Sequence, residues 1–155
     1  MTRDTAPPVP PISLDQNDRQ RIYDGTPFER SASYARAIRH GSYIAVSGTI
    51  AMDTNGNVAY LGDVYLQTRT AFLKAIAAVD ELGGSLHDVV RTRIFLTPSC
   101  SWEGAAAAHA EIFRGVDPAN TSLYVSGLFV PNALVEVEVD AMVTSLCRAD
   151  SALPG

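Results

Sequence analysis

From Leu134 to Val143 apolar and acidic positions alternate with period two. Val135, Val137, Val139, Ala141 and Val143 fall on one side, and Glu136, Glu138 and Asp140 on the other. That is a half-buried β-strand. Side chains two apart on a strand stand roughly 6.5–7 Å apart, so three carboxylates in one row repel each other unless water, donors or a partner receives them. The row reads either as a solvated strand face or as the source of an acid–base group with a raised pKa.

The rest of the chain divides by the same criteria. Tyr34–Arg39 and Ser42–Ile50 read as strands joined at His40-Gly41, a hairpin. Asp53–Asn57 is turn chemistry. From about Asp63 to Leu82, Phe72, Ile76, Val79 and Leu82 recur at helical spacing, and Gly83-Gly84 stops the run. Asp88–Leu96 predicts a strand. Ser101 is placed to cap a helix from Trp102 to Arg114, with four successive alanines from Ala105 to Ala108. Pro118 breaks the chain, and Thr121–Ser126 precedes the acidic strand. The order β-β-α-β-α-β-β predicts an α+β fold, one sheet with two helices on one face. Its other face then needs water or another subunit. With the apolar run Leu128–Pro131, this points to self-association.

A length of 155 residues favours one domain. We expect residues 1–27 to form an extended or disordered arm, residues 28–146 the folded domain and residues 147–155 a tail. The net charge of −5, without clustered Lys and Arg, disfavours nucleic acid and anionic membranes as partners. No apolar stretch approaches the roughly 20 residues of a membrane span, and no signal peptide is visible. The default is a cytoplasmic protein. Cys100 and Cys147 lack CxxC spacing, which indicates neither zinc nor a redox motif. His109 and Glu111 lie two apart on a helix and do not share a face, which argues against joint metal ligation. Gly83-Gly84 lacks any phosphate-cradle pattern.

In order and spacing, the chain resembles the YjgF/RidA (reactive intermediate deaminase) family. The carrying segments are Tyr34-Ala-Arg-Ala-Ile-Arg39, Val46-Ser-Gly48, Gly62-Asp-Val-Tyr-Leu-Gln-Thr-Arg69, Asp88-Val-Val-Arg-Thr-Arg93, His109-Ala-Glu-Ile-Phe113, Pro118-Ala119 and Leu134-Val-Glu-Val-Glu138. The resemblance covers about residues 28–145. It implies a chorismate-mutase-like fold with a single mixed sheet, and a homotrimeric barrel assembly with small-molecule clefts between subunits. It also implies a cofactor-free enzyme that hydrolyses reactive imines, the tautomers of enamines, to ketones and ammonia.

Under that resemblance Glu136 matches the glutamate that positions or activates water. Tyr34, Ser47 and Gly48 match residues lining the cleft. The chain departs at Asn120, where deaminating members carry an arginine that grips the substrate carboxylate. It is similar to a subgroup with a His-x-Glu pair and no such arginine. Asn120 therefore reads as a turn residue or a pocket amide, Tyr34 as a substrate donor or an interface aromatic, and His109 as a cleft group or a packed histidine. Two functions stand: chemistry on a small imine or enamine, and a trimeric module that binds a metabolite or partner without chemistry.

Overall fold

A computed structural model describes residues 18–144. Six strands form one mixed sheet in the order β1-β2-β3-β6-β4-β5. In chain order they are β1 (Arg19–Ile22), β2 (Ala37–His40), β3 (Tyr43–Thr49), β4 (Val89–Leu96), β5 (Ala119–Tyr124) and β6 (Val135–Met142). Three α-helices intervene: α1 (Pro27–Ala32), α2 (Val64–Glu81) and α3 (Trp102–Phe113). A single 3₁₀ turn, Leu86–Asp88, leads into β4. Only β4 and β5 run parallel, joined by the crossover through α3. The other pairings are antiparallel.

Each long element follows from its sequence. Asp63 caps α2 by accepting from the Leu66 amide at 2.9 Å. Helix α3 starts at the expected place, but the Ser101 hydroxyl makes no capping hydrogen bond. The acidic strand alternates as expected. Val135, Val137, Val139 and Ala141 are fully buried against Phe72, Val79 and Phe113 of the helices, with Ile44, Ile94 and Leu96 of the neighbouring strands. A Cβ on Gly104 would come within 2.6 Å of Val64 Cγ1, so glycine there lets α3 lie directly on the start of α2.

The N-terminal expectation needs correction. Residues 1–17 and the expected tail, 147–155, lie outside the described residues, but 18–27 are not a loose arm. Strand β1 extends the sheet by pairing along β2, from Arg19 opposite His40 to Ile22 opposite Ala37. Its one apolar residue, Ile22, reaches the core, too little alternation to show as a strand in the sequence. Helix α1 is a full capping box. Thr26 Oγ1 accepts from the Glu29 amide, while the Glu29 carboxylate receives the amides of Asp24, Gly25 and Thr26, and Pro27 opens the helix. The Thr-Pro-Phe-Glu spacing carried that signal. As a result, Tyr34–Arg36 precede β2 as a bend instead of starting it.

Among the described residues no helix is long and apolar enough to cross a membrane, and no group of three His, Cys, Asp or Glu side chains is placed to hold a metal ion.

Candidate functional site

The acidic row on β6 resolves into two unlike environments. Opposite it on β4, Arg93 stands beside Glu138 in the pairing register. Its Nη1 donates to Asp140 at 3.0 Å and to Glu138 at 3.3 Å, and Tyr43 Oη donates to Asp140 at 2.9 Å. Those two carboxylates thus share the Arg93 cation. Glu136 pairs with Phe95 in the register and has no such cation. Among the described residues no ion pair reaches it. Burial raises its proton affinity, and the negative charge of Glu138 raises it further. An acid held above the usual carboxylate range is suited to exchanging protons with a bound ligand.

Backbone irregularity seats this carboxylate. The β3–β6 ladder shifts register between Val46 and Thr49, and Glu136 folds over Gly48. A Cβ at position 48 would overlap Glu136 Oε1 and lie 3.0 Å from its Cδ. Glycine here leaves room for the Glu136 carboxylate by close approach to a side chain, and not for a left-handed backbone.

Glu136 lines a cavity of about 580 Å³ between the end of β3, helix α1 and the loop Leu128–Val130. Tyr34 and Gly48 share that wall. On its other side Glu136, with Phe95 and Glu138, borders a shallower recess of about 370 Å³. Leu128 and Phe129 border both spaces, and Phe129 is 106% exposed. Glu136 thus borders both hollows, beside an apolar loop in which Leu128 and Val130 are half-buried and Phe129 is exposed among the described residues.

Tyr34, Gly48 and Glu136 line one cavity; Ser47, His109 and Asn120 are not among its lining residues. The Ser47 hydroxyl turns away to donate to the Ala35 carbonyl at 2.8 Å. His109 and Asn120 lie on the opposite face. Their common partner is Thr92, 0% exposed and in register with Val139 on the helix-covered side. His109 Nε2 is 2.8 Å from Thr92 Oγ1, and its ring packs on Phe72 and Phe113 with centroids 5.5 and 4.7 Å away. Burial lowers the imidazole pKa, which keeps it neutral near pH 7. Within one copy His109 is a packed histidine and does not line the Glu136 cavity, because its ring is held between Phe72, Phe113 and Thr92 on the helix-covered side of the sheet. Glu111 points elsewhere, to Arg69 Nε at 3.0 Å and to Tyr65 Oη. Asn120 is a strand residue, not a turn: Nδ2 donates to Thr92 Oγ1 at 3.0 Å and Oδ1 accepts from Ser122 Oγ at 2.8 Å.

The sequence reading missed Arg36 and Thr49. Arg36 is 8% exposed and lines the cavity, with Nη2 donating to Thr49 Oγ1 at 2.6 Å and Nε 3.4 Å from Asp24. Burial lowers its pKa, opposed by Asp24 and Glu29. Nothing in the local pattern signals this. The bend before β2, created by α1, turns Arg36 inward.

Residues 26–143 match the family model described as Endoribonuclease L-PSP. The chain belongs to this family. Proteins that resemble the chain include SCO2049, an uncharacterized protein of Streptomyces coelicolor. That protein is 39% identical over 123 residues, which span 79% of this chain and 90% of the relative. Rv2704 of Mycobacterium tuberculosis, a member of the YjgF/YER057c/UK114 family, is 34% identical with a TM-score of 0.72 over 81% of this chain and 99% of its own. YyfA of Yersinia pestis, from the conserved Rid protein family, is 30% identical with a TM-score of 0.65 over 71% and 87%. The YjgF/RidA resemblance is thereby sustained, and the single mixed sheet with two long helices on one face is the L-PSP/YjgF fold. The matched region includes the short helix α1, whose Phe28, Glu29 and Ala32 line one side of the cavity.

Proposed function

We propose that the chain is a cofactor-free enzyme acting on reactive imine or enamine intermediates, working as a homotrimer in the cytoplasm. The observation that carries this is Glu136, the unpaired carboxylate of raised proton affinity on the cavity wall. In the hydrolytic form, Glu136 takes a proton from water as the water oxygen bonds to the carbon of a protonated C=N group. The resulting carbinolamine receives that proton on nitrogen; as the C–N bond breaks Glu136 takes the hydroxyl proton and passes it to the departing ammonia, so ketone and ammonium leave. The carboxylate also offsets the iminium charge. Tautomerisation, dehydration or cyclisation of such a compound uses the same proton exchange.

Asn120 narrows the substrate. A charge-assisted grip on a carboxylate is worth roughly 1.5–3 kcal/mol against about 1 for a neutral donor, so binding of a 2-imino acid falls by about an order of magnitude or more. We assign the chain to the subgroup without the arginine. Asn120 and Glu136 face opposite sides of one sheet, so they share a cleft only when two copies each contribute one. The exposed Leu123, Tyr124 and Phe129 support that assembly.

A coupled assay that generates imines in situ and follows ketone or ammonia release tests the reading. Glu136→Gln is expected to slow the reaction by about 10²-fold or more, and Asn120→Arg to raise turnover of 2-imino acids about tenfold. Wild-type turnover of 2-iminopropionate equal to that of arginine-bearing relatives would overturn the Asn120 argument. If no imine or enamine is touched, the better account is a non-catalytic trimer that binds a metabolite or partner, which the uncharged Asn120 favours. The acidic balance of the chain speaks against RNA as the substrate.

A further inference from the structure

The cavity beside Glu136 is larger and more apolar than a three-carbon imine requires. Its volume of about 580 Å³ lies within the ~300–1,000 Å³ of pockets that enclose drug-sized ligands. Beyond Glu136 the walls are Phe28 and Ala32 of α1, Ile50 and Met52 after β3, and Leu128 and Val130 of the loop. A substrate that left this space to water would forgo the main attraction the cleft offers.

The charges on the wall argue the same way. Five ionisable carboxyl, guanidinium and amine groups face the cavity: Asp24, Glu29, Arg36, Lys74 and Glu136. Three are acids and two are cations, so the field does not favour an anion. Arg36 is engaged with Asp24, with the Ser47 carbonyl and with Thr49 Oγ1. Glu29 is bound by three backbone amides. Lys74 Nζ donates to the Met52 carbonyl at 3.3 Å. Neither cation presents a carboxylate fork like that of a free arginine.

The geometry points to a substrate class for this cleft: an iminium or enamine with a bulky apolar substituent and no carboxylate. This rests on the Glu136 reading above. The cationic C=N end meets Glu136, and the aromatic or branched aliphatic group fills the space under α1. Helix α1 and the loop Leu128–Val130 then act as specificity elements, with Ala32 on the cavity wall where a larger side chain would intrude.

Imines made in situ by flavin-dependent oxidation of alanine, phenylalanine, isopropylamine and 1-phenylethylamine cross the two variables, bulk and carboxylate. The imine of 1-phenylethylamine is expected to be hydrolysed fastest relative to its uncatalysed rate, by roughly 10- to 200-fold over that of isopropylamine. Ala32→Trp, at an exposed helix position, is expected to abolish that preference. Greater activity on the alanine or phenylalanine imine, a preference for the small imine, or an aromatic preference unchanged in Ala32→Trp would each overturn the inference. Calorimetry with 1-phenylethylamine, a stable cation of the same shape, separates this inference from the catalytic reading. Binding to the wild type, lost in Ala32→Trp, upholds the substrate class even if no imine turns over. No binding and no turnover would remove both.

Discussion

Replacing Gly48 by alanine separates the position of the Glu136 carboxylate from the stability of the fold. The added Cβ would overlap Glu136 Oε1 and crowd its Cδ at 3.0 Å and Cγ at 3.4 Å. The atoms that must give way are the far end of a flexible side chain, so the sheet stays and the carboxylate swings. An off-rotamer glutamate costs about 0.5–1.5 kcal/mol. Removing glycine's freedom from the unfolded chain returns about 0.4–1 kcal/mol. The two nearly cancel, so the change in Tm is expected to stay within about 4 °C. Activity behaves differently. The carboxylate must move by about 1 Å or more, a displacement that costs on the order of 10²-fold in rate at a reacting centre. Gly48→Ala is therefore expected to melt like the wild type and turn over imines about 100-fold more slowly. Adding Glu136→Gln should cause little further loss. Thermal melts and the coupled imine assay read both quantities. Wild-type turnover in Gly48→Ala would show that the seat of Glu136 is irrelevant, and a fall in Tm beyond 10 °C would show that Gly48 is structural.

Other substitutions report on electrostatics and packing. Glu136→Gln is expected to raise stability at pH 7. The raised folded-state pKa means that charging Glu136 opposes folding, and the gain should vanish as pH falls through that pKa to the unfolded value near 4.5. A pH series of melts checks the sign. For His109 the sign is the reverse. Its folded pKa lies below the reference value of 6.5, so stability should be lost as pH falls from 6.5 through the folded value. His109→Phe keeps the ring packing and should flatten that slope while losing about 1 kcal/mol with the Thr92 hydrogen bond, read by urea titration at several pH values. Phe72→Ala empties the contact between α2, His109 and Phe113 and should lower stability by about 3–5 kcal/mol. A urea midpoint unchanged by that substitution would contradict the placement of the core.

Much of the architecture was legible because the periodicities are long and clean. Strand β6 alternates over eight residues, and α2 runs eighteen residues from an aspartate cap to a glycine stop. The short elements escaped for opposite reasons. Strand β1 has one apolar residue to mark it, whereas α1 is marked by its capping box and not by any hydrophobic period. At the site, periodicity gave Glu136 only as one of three acids; the family resemblance singled it out, but its lack of an ion-pair partner was not legible. That depended on Arg93 standing opposite Glu138 across the β4–β6 ladder.

By itself, the sequence determined which residues alternate, where helices begin and stop, and that one sheet face would lack a covering helix. These follow from local period and local caps, which a short segment expresses alone. Tertiary structure decided the rest: which acid stays unpaired, that Glu136 rests on Gly48, that Arg36 turns inward, and that His109 and Asn120 lie across the sheet from Glu136. A strand's own pattern gives its two faces only relative to itself. Which face matches a neighbour's is fixed by register between distant residues, such as Tyr43 and Asp140, 97 positions apart.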